Sequence, residues 1–95
     1  MERISRIVIP GLPHHVTQRG DRRADVFQQE DDRNVYLSML NKYAAEYGVE
    51  IWSYCLMTDH VHLVLVPGRP QALSQTTRDT HTAYALRFNV QNRLS

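Results

Sequence analysis

Cysteine is almost missing from this 95-residue chain. Cys55 stands alone, so no internal disulfide can form, and a reducing cytoplasmic setting is the default expectation. Long apolar runs are missing too: nothing approaches the roughly 20 residues needed to span a bilayer, so no membrane partner is expected. The start, Met1-Glu2-Arg3-Ile4-Ser5-Arg6, lacks the apolar core of a secretory signal. There is no glycine-rich phosphate loop, no paired-carboxylate signature and no Ser/His/Asp arrangement, which sets aside the commonest nucleotide-binding and hydrolase chemistries. Lysine is scarce as well. All but one of the eleven cations are arginine, Lys42 being the exception, and arginine favours forked contacts to phosphate over simple solvation.

What is present suffices for one small folded domain, residues 1–95. Hydrophobic residues make up 42% of the chain, too many for a disordered one. The net charge of +1 hides an uneven distribution. Residues 1–23 carry five arginines against Glu2 and Asp21, whereas residues 24–50 carry six acids against Arg33 and Lys42. The basic N-terminal segment reads either as an anion-binding surface or as an ordinary solvated one.

Pattern along the chain predicts β-α-β-β-α. Ile4 to Ile9 is apolar but breaks at Pro10-Gly11-Leu12-Pro13, a turn signal. His14 to Gly20 reads as the first strand, followed by a charged connection that Val26-Phe27 anchors to the core. Glu30-Asp31-Asp32 supplies carboxylates suited to the positive end of a helix. The stripe Tyr36, Leu40, Tyr43 and Tyr47 then predicts a helix over 32–47, stopped by Gly48. Val49 to Met57 reads as a strand with Val49, Ile51, Ser53 and Cys55 on one face and Glu50, Trp52, Tyr54 and Leu56 on the other. Within it, Cys55 is expected to be a buried, inert thiol. Thr58-Asp59 is short enough to make an antiparallel hairpin with the next strand, which begins at His60. Leu73, Thr77, Thr80, Tyr84 and Phe88 predict a second helix from about 71 to 92, with His81 on its flank. This order is the α+β, ferredoxin-like two-layer sandwich with an antiparallel sheet, without its final strand, which suggests a chain truncated at the C-terminus.

The chemistry concentrates at His60-Val61-His62. On a strand, alternate residues share a face, so these imidazoles point the same way with roughly 7 Å between their Cα atoms, while Val61, Leu63 and Leu65 face a core. Two imidazoles can converge on one ion, but two ligands make a weak site that a third group or a bound phosphate must complete. Imidazole suits Mn²⁺, Zn²⁺ and other transition ions better than Mg²⁺. Zinc is the competing reading, with Cys55, Asp59 and His81 as further donors, although their spacing fits no zinc-finger pattern. His14 and His15 are adjacent, fall on opposite faces, and cannot both join one site.

Two blocks extend this pattern. His14-His15-Val16-Thr17-Gln18-Arg19-Gly20-Asp21-Arg22-Arg23, followed by Val26-Phe27, and Tyr54-Cys55-Leu56-Met57-Thr58-Asp59-His60-Val61-His62-Leu63 resemble the REP-associated tyrosine transposases, relatives of the single-strand insertion-sequence transposases in the HUH endonuclease superfamily. The resemblance continues through Thr80 to Asn89 and covers most of the chain. It implies cleavage and joining of single-stranded or hairpin DNA, in which a tyrosine hydroxyl attacks a phosphodiester and leaves a 5′-phosphotyrosine and a free 3′-OH. It also implies that His60 and His62 hold Mg²⁺ or Mn²⁺ at the scissile phosphate, and that the protein works as a homodimer. In these relatives the nucleophile sits on a later helix, in a segment like Tyr-Val-Glu-Leu-Asn-Pro-Val-Arg-Ala. No such segment occurs here. Tyr84, with Asn89 five residues on, is the candidate that remains, and its stripe position argues for core packing. Gln18, Arg19, Arg22 and Arg23 are the expected DNA contacts, and Trp52 and Tyr54 share a strand face from which they could stack on unpaired bases. Two other classes stay open: a non-catalytic single-strand-binding remnant of the same fold, and a small metal-binding structural protein.

Overall fold

The structure, a computed structural model, describes residues 7–19 and 25–94. Strand β1 (His14–Arg19) leads to helix α1 (Asp32–Tyr47), the hairpin strands β2 (Val49–Met57) and β3 (His60–Pro67), and helix α2 (Ala72–Leu94). The sheet is antiparallel throughout with order β1-β3-β2, so β3 lies at its centre. This is the ferredoxin-like α+β arrangement expected from the element order.

Both helices cover one face of the sheet. Val16, Val61, Leu63 and Leu65 meet Tyr36, Leu40, Ala44, Leu73 and Tyr84 in one apolar core. Phe27 closes that core with edge-to-face contacts to Tyr36 and Tyr84, as the Val26-Phe27 anchor predicts. Backbone N–H groups of Val26 and Phe27 both donate to the Thr58 carbonyl, tying the segment after β1 to the hairpin turn.

The start of α1 uses its carboxylates unevenly. Asp32 is buried, and its Oδ2 accepts the backbone N–H groups of Gln28 and Gln29, each at 2.8 Å, while Oδ1 accepts from Arg87 at 3.1 Å. Burial pushes the Asp32 carboxyl up, but the two amides and the guanidinium together bring it below the ordinary value. The helix ends at Gly48, whose φ of 75° lies in the left-handed region that glycine adopts without penalty.

Strand β2 departs from strict alternation. Ile51 pairs with Leu65 but Ser53 pairs with Val64, so Trp52 is an extra residue in a β-bulge. Beyond the bulge the faces exchange: Tyr54 and Leu56 turn to the helix side, and Ser53, Cys55 and Met57 to the open side. The predicted grouping of Ser53 and Cys55 with Val49 and Ile51 is therefore wrong. So is the buried thiol, since Cys55 is exposed, in register opposite His62.

Candidate functional site

Strand pairing builds a cluster on the open face of the sheet. His60 and His62 lie side by side on β3, with ring centroids 4.8 Å apart and planes nearly perpendicular. Register sets Arg19 opposite His60 and Thr17 opposite His62 from β1, while Met57 and Cys55 oppose the same two histidines from β2. The alternation that placed both histidines on one face holds here because β3 has no bulge.

Each histidine has one nitrogen engaged. His60 Nδ1 is 2.7 Å from Asp59 Oδ1. The His60 hydrogen bond, assisted by the charge of Arg19, holds the Asp59 carboxyl below its usual value. An ionised carboxylate can only accept, so His60 Nδ1–H is the donor and Nε2 is left as the free nitrogen. His62 Nδ1 lies 3.2 Å from His15 Nε2 and 3.3 Å from Thr17 Oγ1. Among the described residues neither His60 Nε2 nor His62 Nε2 has a hydrogen-bond partner. This is the pattern of imidazole ligands whose second nitrogen is fixed by a neighbour. The pair fits a divalent ion as two ligands of a larger set. Among the described residues, no group of three His, Cys, Asp or Glu side chains gathers to hold one unaided. A zinc site through Cys55, Asp59 and His81 finds no such cluster either, because His81 belongs to the helical layer.

The expected DNA contacts separate. Arg19 is exposed on the open face opposite His60, whereas Gln18 pairs with Val61 and belongs to the helix side. Arg22 and Arg23 lie outside the described residues. Trp52, at the bulge, and Tyr54 are both exposed on the edge strand β2, and Trp52 Nε1 donates to Glu50 at 3.0 Å.

Tyr84 lies away from the pair. Its ring is buried among Phe27, Tyr36 and Phe88, and its hydroxyl donates to the Val26 carbonyl at 2.7 Å. Burial pushes its pKa up to about 12, with the charge of Asp32 adding to the rise. The other four tyrosines, Tyr36, Tyr43, Tyr47 and Tyr54, also belong to α1 or to the helix side of β2, so none of the five lies on the face of the histidine pair.

Opposite the pair, beneath β1, is a cavity of about 260 Å³ lined by Gln18, Arg19, Val26, Tyr36, His81 and Tyr84, among others. His81 is not the flank residue its sequence position suggested. Tyr36 O–H donates to His81 Nε2 at 2.9 Å, and burial pulls the imidazole down to about 4. Two features escaped sequence reasoning: the largely buried His81, and His15, whose part in the site depends on a strand pairing 47 residues away.

No curated protein and no solved structure matches the chain. The sequence profile of the family described as "Transposase IS200 like" matches residues 9–94, from the turn before β1 to the end of α2. That span contains the histidine strand, its β1 partners and both helices of the core, and the chain belongs to the IS200-like transposase family.

Proposed function

We propose that this chain is the metal-binding half of a transposase site acting on single-stranded or hairpin DNA in the cytoplasm, with His60 and His62 as ligands of Mg²⁺ or Mn²⁺. The observation that carries the reading is the shared state of the two imidazoles: each Nδ1 is engaged within the chain and each Nε2 is without a partner among the described residues. When bound, the ion supplies positive charge to a non-bridging oxygen of the scissile phosphate. Phosphate oxygens and water complete a ligand set that two imidazoles alone leave open.

The chain's own residues supply orientation and charge. Asp59 holds His60 by its Nδ1–H, and Arg19, on the same face, contributes a cation beside the phosphate. Arg22 and Arg23 extend the backbone contact, and Gln18 meets DNA that passes around the β1 edge. Trp52 and Tyr54 offer exposed rings to unpaired bases. The attacking hydroxyl is not brought to the pair by this arrangement, since Tyr84 is engaged with Val26 in the core, so cleavage draws on a tyrosine supplied to the open face. Two copies associate as a homodimer, for which the unpaired outer edge of β1 among the described residues is the natural contact.

The same absence of a tyrosine from the open face favours a second reading, a single-strand-binding remnant without catalysis. The two are separated with a hairpin-bearing single strand and Mn²⁺. The metal-site reading expects Mn²⁺ uptake, Mn²⁺-strengthened DNA binding, loss of both in His60→Ala and His62→Ala, and no covalent adduct from the chain alone. DNA binding indifferent to Mn²⁺ and to both substitutions establishes the remnant instead. A covalent adduct to Tyr84 would refute the assignment of the hydroxyl to another source.

A further inference from the structure

The open face carries a third histidine that the metal-site reading does not use. His15 is exposed on β1, and its ring plane is parallel to that of His62 within 1°, with centroids 5.2 Å apart. Its Nε2 stands 3.2 Å from His62 Nδ1. Two rings stacked face to face with centroids that far apart would hold these nitrogens farther from each other. The rings therefore lie nearly side by side, with one nitrogen of each aimed at the other, which is hydrogen-bond geometry rather than π-stacking.

We propose that His15 is a positioning residue: its Nε2 accepts the hydrogen bond of His62 Nδ1–H and so keeps the His62 Nε2 lone pair on the open face, ready for an ion. The inference rests on the reading of His60 and His62 as ligands. Only one of the two nitrogens of a neutral imidazole carries hydrogen. A His62 that gives its Nε2 pair to an ion must carry its proton on Nδ1, and a proton there needs an acceptor. Among the described residues two stand within reach, His15 Nε2 at 3.2 Å and Thr17 Oγ1 at 3.3 Å. A hydroxyl can donate or accept and so imposes no tautomer. Neutral His15 can likewise donate or accept at Nε2, but with its own proton on Nδ1 it offers only a lone pair there, and that arrangement matches His60, where Asp59 is the acceptor. In that arrangement each candidate ligand is oriented by one acceptor, Asp59 from the preceding turn and His15 from the neighbouring strand.

The test combines two readouts that need no turnover. Long-range ¹H–¹⁵N correlation spectra of the metal-free protein at about pH 8 report the tautomer of His62. The wild type is expected in the Nδ1–H form, His15→Phe in the Nε2–H form, and His15→Gln, whose amide oxygen can accept, close to the wild type. Thr17→Val alone should leave the Nδ1–H form in place. Mn²⁺ affinity, read from the paramagnetic resonance of the free ion, should fall roughly 10- to 100-fold in His15→Phe, with most of it restored in His15→Gln. Circular dichroism of His15→Phe should match the wild type, since His15 is exposed. A wild-type His62 in the Nε2–H form, or a tautomer that ignores His15→Phe, overturns the proposal. So does unchanged Mn²⁺ affinity in His15→Phe when His60→Ala abolishes uptake. If the wild type takes up no Mn²⁺ at all, the metal reading fails, and the tautomer spectra still decide whether His15 positions His62.

Discussion

Acid should destabilise this protein through His81 well before its carboxylates protonate. The imidazole sits among Tyr36, Tyr84 and the β1 residues Gln18 and Arg19, accepts Tyr36 O–H at Nε2, and has its Nδ1–H satisfied by the Thr77 carbonyl one helical turn back. A second proton would place a charge in a mostly apolar cavity and turn the Nε2 acceptor into a donor facing another donor. Burial therefore lowers the folded-state value from 6.5 to about 4. Above pH 6.5 both folded and unfolded chains are neutral at His81 and its contribution is intact. As the pH falls from 6.5 toward 4, the unfolded chain takes up the proton first and stability is lost. One pKa unit corresponds to about 1.36 kcal/mol, so the loss reaches about 2.5 kcal/mol at pH 4.5 and about 3 kcal/mol at pH 4. Urea unfolding at about pH 7.5 and pH 4.5 measures it against His81→Gln, which cannot titrate. The variant starts less stable, but its decline between the two pH values should be smaller than the wild type's by about 2.5 kcal/mol. Equal declines would refute the argument and mean that His81 is protonated in the folded protein without penalty.

Asp32→Ala removes the acceptor for two backbone amides and the carboxylate facing Arg87; about 3 kcal/mol of stability should go, with Asp32→Asn costing less, both read from urea midpoints. Gly48→Ala keeps the space, since nothing lies within 4 Å of the added Cβ, yet forces a left-handed φ, so about 1 kcal/mol should be lost and Gly48→Asn should lose less. Arg19→Ala should weaken single-stranded DNA binding and reduce the slope of log K against log salt by about 0.7, as one phosphate contact fewer requires; an unchanged slope removes Arg19 from the backbone path. Trp52→Ala should cost about 1–3 kcal/mol of single-strand affinity without moving Mn²⁺ uptake, by fluorescence titration with an unstructured oligonucleotide.

Legibility in the sequence followed the range of the interactions involved. Helix α1 was readable from end to end because its signals are local: acids at the start, an apolar stripe at helical spacing, and Gly48 at the stop. The two histidines on one face were readable because β3 alternates without interruption. The β2 faces were not, because the extra residue at Trp52 carries no local marker such as glycine, and one added residue moves everything after it to the other face. Cys55 was misplaced for that reason alone. His81 was misread because α2 packs against both α1 and the sheet, which buries a wider arc of the helix than one stripe of Leu73, Thr77, Thr80, Tyr84 and Phe88 marks out; Ala72 and Thr76 are buried as well.

The site owes more to the register of β1 than to any residue in it. Sliding β1 by one position against β3 would present His14, Val16 and Gln18 to the open face in place of His15, Thr17 and Arg19, leaving His62 without an acceptor and His60 without its cation. Local pattern does not forbid that slip, because both sets contain a histidine. The surroundings do. Val16 is buried in the core opposite Leu63, where Thr17 would bring an unsatisfied hydroxyl. His14 is held at the strand entrance, where its Nε2 accepts the Ile9 N–H at 3.2 Å and its Nδ1 lies 2.8 Å from the Leu12 carbonyl. Gly11, at φ 86°, turns the preceding segment so that its N–H donates to the Pro67 carbonyl at 2.8 Å, which fixes where β1 begins relative to the end of β3. Of the adjacent pair His14-His15, one therefore pins the register and the other, by virtue of that register, reaches His62. The adjacency that keeps the two from joining one site is the means by which one strand carries both tasks.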